Sequence, residues 1–231
     1  MIKNLSIIII AKNECDNLKN ILPTVKKISS DIIVIDGHSN DGTKELCKIY
    51  NIRFALDNKL GKGDAQRVGA SKAKNNYIIF IDGDGAHKIS DIKKIYNLLK
   101  KNIDLVICSR QTGGSYDLNF NSGFSSAIRA AGVIFLVILF NKLFKTNFTD
   151  ILYSLKGTTK YNFAKIKTKQ NGFAIEIDII VCALIKGLSI KEIPSREYAR
   201  IHGVSKLPTI YGLYFIYFII KKYFIYRMLK K

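Results

Sequence analysis

Residues 77–87 read YIIFIDGDGAH. The run Tyr77 to Ile81 is short, β-branched and aromatic, the composition of a buried strand. It stops on Asp82-Gly83-Asp84. A strand that ends on Asp-x-Asp projects two carboxylates from the carboxyl edge of a sheet, where open α/β sheets bind their ligands. Two hard oxygen ligands at close range suit Mg²⁺ or Mn²⁺ shared with the phosphates of a nucleotide. Gly83 leaves room for a diphosphate to approach the backbone. A plain Asp-Gly turn is the competing reading of the same residues.

Outward from this strand, the first half of the chain alternates strand and helix. The pattern predicts strands at 5–10, 31–35, 52–56, 77–81 and 104–108, and helices at 16–28, 43–50, 64–74 and 90–101. Pro23 leaves the first helix's limits open, and Ser90 is a plausible N-cap. Such alternation argues for a mostly parallel sheet with helices on both faces. Past Arg110 the pattern changes. Residues 111–122 are Gly-, Ser- and Asn-rich and read as a loop. A long helix is expected over 125–144, a short strand over 153–156, a helix over 174–186 and a strand over 189–193. Pro208 opens a final aromatic segment.

The chain has 231 residues and 48% hydrophobic content, which excludes disorder and makes one domain the default. Its formal charge is +19. Residues 1–105 hold 18 Lys+Arg and 12 Asp+Glu, whereas 106–231 hold 19 and 6. The second half, with net +13 against +6, faces something anionic: nucleic acid, a phosphorylated substrate or lipid headgroups. Cys15, Cys47, Cys108 and Cys182 form no close pair in sequence and read as reduced, packed thiols of a cytosolic protein. His38, His87 and His202 lack zinc spacing. No signal peptide is visible, and no apolar run approaches the roughly 20 residues needed to cross a bilayer.

Each strand of the first half ends in a polar or small cluster: Ala11-Lys12-Asn13-Glu14, Asp36-Gly37-His38-Ser39, Asp82-Gly83-Asp84 and Ser109-Arg110. In a parallel sheet these ends share one edge, so together they mark a site more strongly than any one does alone. Gly61-Lys62-Gly63 opens a helix, and a helix N-terminus beside a lysine favours a phosphate or carboxylate.

The ordered blocks SIIIIAKNECDNL, IVIDGHSNDGT, GKGDAQRVGASKAKNNYIIFIDGDGAH and DLVICSR resemble family 2 glycosyltransferases of the GT-A fold. They are most similar to the polyprenyl-phosphate branch that includes dolichyl-phosphate mannose synthases and archaeal dolichyl-phosphate sugar transferases. The match runs over residues 5–207 and implies a catalytic domain at 1–207, with a nucleotide-binding half (1–110) and an acceptor half (111–207), followed by an aromatic and basic membrane-associating C-terminal helix at 208–231. The resemblance implies a GT-A, Rossmann-like, mostly parallel sheet with C-terminal amphipathic interfacial helices. It assigns Ala11, Asn13, Glu14, Asp36, Lys62, Asp82, Gly83 and Asp84 to the nucleotide sugar, with Asp36 at the base. Asp82 and Asp84 would hold Mg²⁺ or Mn²⁺. Arg110, Arg129, Arg200, Ser205 and Lys206 would face the acceptor phosphate, and Asp84, Arg110, Arg129 and Glu176 are the catalytic candidates. Two departures stand out. Ala86 occupies a position where many relatives place a metal-contacting glutamine, and Ser154-Leu155-Lys156 replaces Gly-Phe-Arg.

The implied reaction is metal-dependent, inverting transfer of a sugar from a nucleotide sugar, with UDP-N-acetylglucosamine or a related UDP-hexose first, to dolichyl or polyprenyl phosphate. It belongs at the cytoplasmic face of the membrane, in an early step of protein N-glycosylation. A lipid monophosphate is largely dianionic at pH 7 and attacks without a strong base. The alternatives are a GDP-mannose donor, or a glycan hydroxyl acceptor, for which Glu176 or Asp150 would serve as base. Eight aromatics within residues 211–226, interleaved with cations and with no acid after Glu197, suit a helix lying against an anionic membrane surface. A helix packed on the protein's own core is the other reading. Nucleic acid is not an expected partner, because no nucleic-acid-binding signature is identifiable.

Overall fold

The computed structural model describes residues 1–114, 124–200, 202–203 and 210–230, with the backbone alone for 124–129. Seven strands form one sheet: β1 (Ile2–Ala11), β2 (Ser29–Asp36), β3 (Arg53–Leu56), β4 (Tyr77–Asp82), β5 (Leu105–Ser109), β6 (Lys156–Thr159) and β7 (Ile190–Pro194). Their order is β3-β2-β1-β4-β6-β5-β7. Strand β6 runs antiparallel to both neighbours, and all other pairs are parallel. The carboxyl ends of β1, β2, β4 and β5 therefore share one edge. Ile9 of β1 pairs with Val34 and Ile81, which aligns the ends of the three central strands.

Eight helices cover the described residues: α1 (Cys15–Lys26), α2 (Thr43–Ile49), α3 (Lys62–Lys72), α4 (Asp91–Leu99), α5 (Phe124–Phe144), α6 (Lys160–Ile166), α7 (Ile175–Ile185) and α8 (Tyr211–Leu229). Strand residues alternate between two cores, as a period of two requires. Ile7, Ile9, Ile79 and Ile81 pack with Leu18, Leu22, Leu46 and Ile95 from α1, α2 and α4. Ile8, Ile35, Phe80 and Ile107 pack with Ala65, Phe140, Phe163, Ile177 and Phe215 from α3 and α5–α8. Burial on both faces explains why the strands read as continuous apolar runs.

Three local expectations are corrected. Ser90 sits at the N-cap of α4 without a side-chain capping bond. The Lys88 and Ile89 carbonyls already accept from the N–H groups of Asp91 and Ile92, so the turn closes on backbone alone. The strand expected at 153–156 begins at Lys156 instead, because Ser154 bonds within the site described below. Gly157 fits it between β4 and β5: a Cβ there would lie 2.4 Å from Ile95 Cγ2. The sequence reading also omitted α6, although Thr159 caps it by accepting from the Asn162 N–H at 3.1 Å.

Helix α8 buries Phe215, Phe218 and Ile219 against α5 and α7 and leaves Leu213, Tyr217, Phe224 and Met228 exposed. Lys222 Nζ reaches the buried Asp178 Oδ1 of α7 at 2.5 Å. No helix among the described residues is long and apolar enough to cross a membrane.

Candidate active site

A cavity of about 1150 Å³ opens at the carboxyl edge of the sheet. Ala11, Lys12, Asn13 and Glu14 line one side, Gly37, His38 and Asp57 the next, and Lys62, Asp82, Gly83 and Asp84 the floor. Arg110, Glu176, Glu197 and Arg200 line it as well. Leu152, Tyr153, Phe173, Tyr211 and Phe215 add an apolar wall, so the first turns of α8 belong to the cavity. The structure thus brings together Ala11, Asn13, Glu14, Lys62, Asp82, Gly83, Asp84, Arg110, Glu176 and Arg200 of the residues assigned from sequence.

Asp36 is placed differently. It is buried at the end of β2 and does not line the cavity. Its carboxylate accepts from the Ser39 N–H at 2.8 Å and from the Ser39 hydroxyl. Ser39 Oγ in turn accepts from the Asn13 N–H at 2.7 Å, and Asn13 Oδ1 accepts from the Asn40 N–H at 3.0 Å. Asp36 therefore ties the loop after β2 to the loop after β1 and sets the wall that Gly37 and His38 present. Arg129 lies where only backbone is described, and Ser205 and Lys206 lie outside the described residues, as does most of the 111–122 loop.

Asp82 is held from three sides. Lys62 Nζ contacts Oδ2 at 2.9 Å, and the Ser154 hydroxyl donates to the same oxygen at 2.6 Å. His87 completes a ring: Nδ1 accepts from the Asp82 N–H at 3.2 Å, and Nε2 lies 3.0 Å from Ser154 Oγ. An amide N–H only donates, so Nδ1 is unprotonated and Nε2 carries the hydrogen. Burial alone would push the Asp82 carboxyl up, but the Lys62 ammonium and the Ser154 hydroxyl outweigh it and hold the group well below the usual carboxylate range. Burial pushes the His87 imidazole down, against the pull of Asp82 and Asp84.

Asp84 Oδ2 pairs with Arg200 at 2.8 Å, and Oδ1 accepts from the Ala86 N–H at 3.1 Å. Ala86 has no side-chain ligand to offer, yet its backbone serves the site twice. Its N–H holds Asp84, and its carbonyl accepts from the Tyr198 N–H at 2.8 Å. That second bond fastens the chain after β7 across the end of β4. Arg110 Nη1 contacts Glu197 at 3.2 Å and secures the same segment.

The remaining charges are also paired. Glu176 accepts from the buried Lys156 ammonium, from Gln66 Nε2 at 3.1 Å, and lies 3.3 Å from Lys62 Nζ. Burial and the nearby Lys62 push the Lys156 ammonium well below its usual range, and the Glu176 carboxylate in contact with it neutralises the pair. Arg110 Nε and Nη2 bind Asp150 Oδ2 and Oδ1 at 2.6 and 3.2 Å, a bidentate fork. The guanidinium also lies 5.1 Å from the Tyr153 ring centre. Sequence reading missed Ser154, Lys156, His87 and Glu197 as members of this network. The replacement of Gly-Phe-Arg by Ser154-Leu155-Lys156 was the one signal that pointed to two of them.

Gly63 sets the approach of α3. A Cβ there would lie 2.0 Å from the Gln170 carbonyl oxygen, and the Gly63 N–H donates to the Asn171 carbonyl at 2.7 Å. Only glycine lets the first turn of α3 lie on the 170–172 loop and place Lys62 between Asp82 and Glu176.

Comparison with known proteins agrees with this architecture. Residues 6–165 match the sequence profile of glycosyl transferase family 2. Glycosyltransferase AglJ of Haloferax volcanii is 25% identical over 193 residues, which are 83% of this chain and 62% of that protein. The chain therefore spans under two thirds of that relative's length. Dolichyl-phosphate beta-glucosyltransferase of Saccharomyces cerevisiae is 33% identical over 82 residues, 31% of this chain and 25% of that protein. A crystal structure of glucosyl-3-phosphoglycerate synthase from Mycobacterium tuberculosis, in complex with Mn²⁺, UDP-glucose and phosphoglyceric acid, superposes with a TM-score of 0.73. Its identity is 16%, and the match covers 95% of this chain and 79% of that one. This last likeness concerns the fold.

Proposed function

We propose, for a chain that belongs to glycosyl transferase family 2, that it transfers a sugar from a nucleotide sugar to dolichyl or another polyprenyl phosphate, at a membrane surface and with a divalent cation. The observation that carries the choice of acceptor is the pairing of the two candidate bases. Asp150 is locked into Arg110, and Glu176 is shared by Lys156 and Lys62. A sugar hydroxyl needs a base to remove its proton. A phosphate acceptor does not, because its oxygens already carry the charge.

Asp82 and Asp84 fit a Mg²⁺ or Mn²⁺ ion. They supply two carboxylates on one cavity wall, the usual protein share of an ion whose other ligands are substrate phosphates and waters. When bound, the ion would neutralise the leaving diphosphate. The chain's own residues do the rest. The Ser154–His87 ring fixes the orientation of Asp82, and Gly83 keeps the floor low: a Cβ there would lie 3.0 Å from Ala11 Cβ. The proposed nucleotide contacts are Ala11, Asn13, Glu14 and Lys62, with Asp36 acting through the loops it joins. Arg110 is proposed for the acceptor phosphate and Arg200 for the phosphates of acceptor and donor, both lining the cavity; Arg129, Ser205 and Lys206 are assigned to the acceptor phosphate on the resemblance alone. A UDP-hexosamine is the first donor proposed, with UDP-glucose and GDP-mannose behind it. Exposed Leu213, Tyr217 and Phe224, with Lys221 and Arg227 on the same helix and Lys230 at its end, support contact with anionic lipid.

Incubating the purified chain with Mn²⁺ or Mg²⁺, a panel of nucleotide sugars and dolichyl phosphate, scored by lipid mass, tests the proposal. A mass increase of one hexose or hexosamine is expected. Transfer to a glycan hydroxyl with none to lipid phosphate would overturn it.

A further inference from the structure

Both carboxylates of Asp82-Gly83-Asp84 already hold a cation of the chain, and the two cations come from different places. Lys62 opens α3, and Arg200 lies on the segment after β7. We infer that Lys62 and Arg200 are resident counterions of this carboxylate pair, and that they exchange places with the incoming divalent cation and then serve the diphosphate that arrives with it. The inference rests on the proposed metal–nucleotide site and adds its order of charge exchange.

The geometry provides for the exchange. Lys62 Nζ sits 2.9 Å from Asp82 and 3.3 Å from Glu176, so it can give up the first carboxylate and keep the second. It moves by a rotamer change, with α3 held in place by Gly63 against the 170–172 loop. Arg200 reaches Asp84 from a segment that is secured independently, by Tyr198 to Ala86 and by Glu197 to Arg110. Releasing the guanidinium therefore leaves the backbone beside the cavity. Without exchange, a divalent ion would add two positive charges to two carboxylates already neutralised, at close range in a partly buried wall. With exchange, the ion takes the carboxylates, and a lysine and an arginine become free to contact a diphosphate.

This arrangement predicts opposite signs for two affinities, which a merely structural role would not produce. Binding of Mn²⁺ alone, read by the loss of the free-ion electron paramagnetic resonance signal, should tighten about fivefold in Lys62→Gln and in Arg200→Gln, since each removes a competitor. Binding of UDP in saturating Mn²⁺, read by calorimetry, should weaken about tenfold in the same variants, since each removes a diphosphate contact. Arg200→Lys, which keeps the charge, should return Mn²⁺ affinity toward wild type. Thermal melts confirm that the variants are folded, and Arg200, one-third exposed, is the safer site. If wild type binds Mn²⁺ and both Gln variants bind it equally or more weakly, the exchange is overturned while the metal site stands. If neither wild type nor any variant binds Mn²⁺, with or without UDP, the metal reading falls and the exchange with it.

Discussion

Replacing Glu176 with alanine separates a carboxylate that anchors the cavity from one that accepts a proton. Its side chain is 4% exposed and faces Lys156, itself 2% exposed. Removing one partner of a buried ion pair costs about 3–5 kcal/mol. The lower end applies, because Lys156 is already pushed down by burial and can shed its proton rather than stay charged without an anion. A loss of about 3 kcal/mol lowers Tm by about 6–12 °C in a chain of this size. The pH dependence follows. A lysine whose folded pKa lies below its unfolded value binds more protons in the unfolded chain, so stability rises with pH up to the unfolded value near 10.4. The alanine variant, in which Lys156 no longer meets a carboxylate at position 176, should therefore gain stability between pH 7 and pH 9. Circular dichroism melts at both pH values measure this. A Tm within about 2 °C of wild type at pH 7 would refute the anchoring account. Glu176→Gln adds the catalytic arm. It keeps an oxygen for Lys156 but cannot take up a proton, so transfer to a lipid phosphate should fall by less than the 10²–10⁴-fold that loss of a general base brings.

Two further substitutions test how the cavity is held. Lys222→Ala leaves the fully buried Asp178 carboxylate with only neutral side-chain partners, the Thr168 hydroxyl and the Cys182 thiol; stability should fall by about 2–3 kcal/mol, and hydrogen exchange should show α8 amides losing protection before those of β1. Gly63→Ala places a Cβ 2.0 Å from the Gln170 oxygen; it should displace the start of α3 and weaken UDP binding about tenfold by calorimetry, whereas Gly132→Ala, with nothing near its Cβ, should leave UDP affinity unchanged.

The sheet was legible because its strands are buried on both faces, and continuous Ile-rich runs bounded by polar residues have few other readings. The shared edge followed from parallel order, and it brought the ends of β1, β4 and β5 to one cavity, where Lys62, Glu176 and Arg200, assigned from the helix start and the resemblance, also lie. Strand β6 was harder: its antiparallel insertion depends on Gly157 fitting under Ile95, a contact between residues far apart in sequence. Helix α6 was legible in principle from the Thr159 cap. The ion pairs were not. Lys62 meets Glu176 from 114 positions away, and Arg200 meets Asp84 from 116. Neither spacing follows a local rule, so charges that read as separate binding residues prove to be each other's partners. The tie that Asp36 makes between two loops through Ser39 has no local sequence signal either.

The charge of the cavity differs from that of the chain. Its lining holds five Lys or Arg side chains (Lys12, Lys59, Lys62, Arg110, Arg200) and six Asp or Glu (Glu14, Asp57, Asp82, Asp84, Glu176, Glu197). Among the described residues, a chain of formal charge +19 thus lines its substrate-sized space with a net −1, His38 taken as neutral. Two consequences follow. A nucleotide diphosphate gains no net attraction from this lining, so it needs a cation to arrive with it or cations released from existing pairs. The proposed metal supplies the first, and the exchange of Lys62 and Arg200 supplies the second. Among the described residues, most of the basic surplus lies outside this lining. Part of it is on α8 and at its end, where Lys221, Arg227 and Lys230 stand among exposed aromatic and aliphatic side chains. That placement suits attraction to an extended anionic surface better than recognition of a small soluble phosphate. Because Tyr211 and Phe215 of the same helix line the cavity, the surface that would meet lipid and the wall that would meet the acceptor are one element.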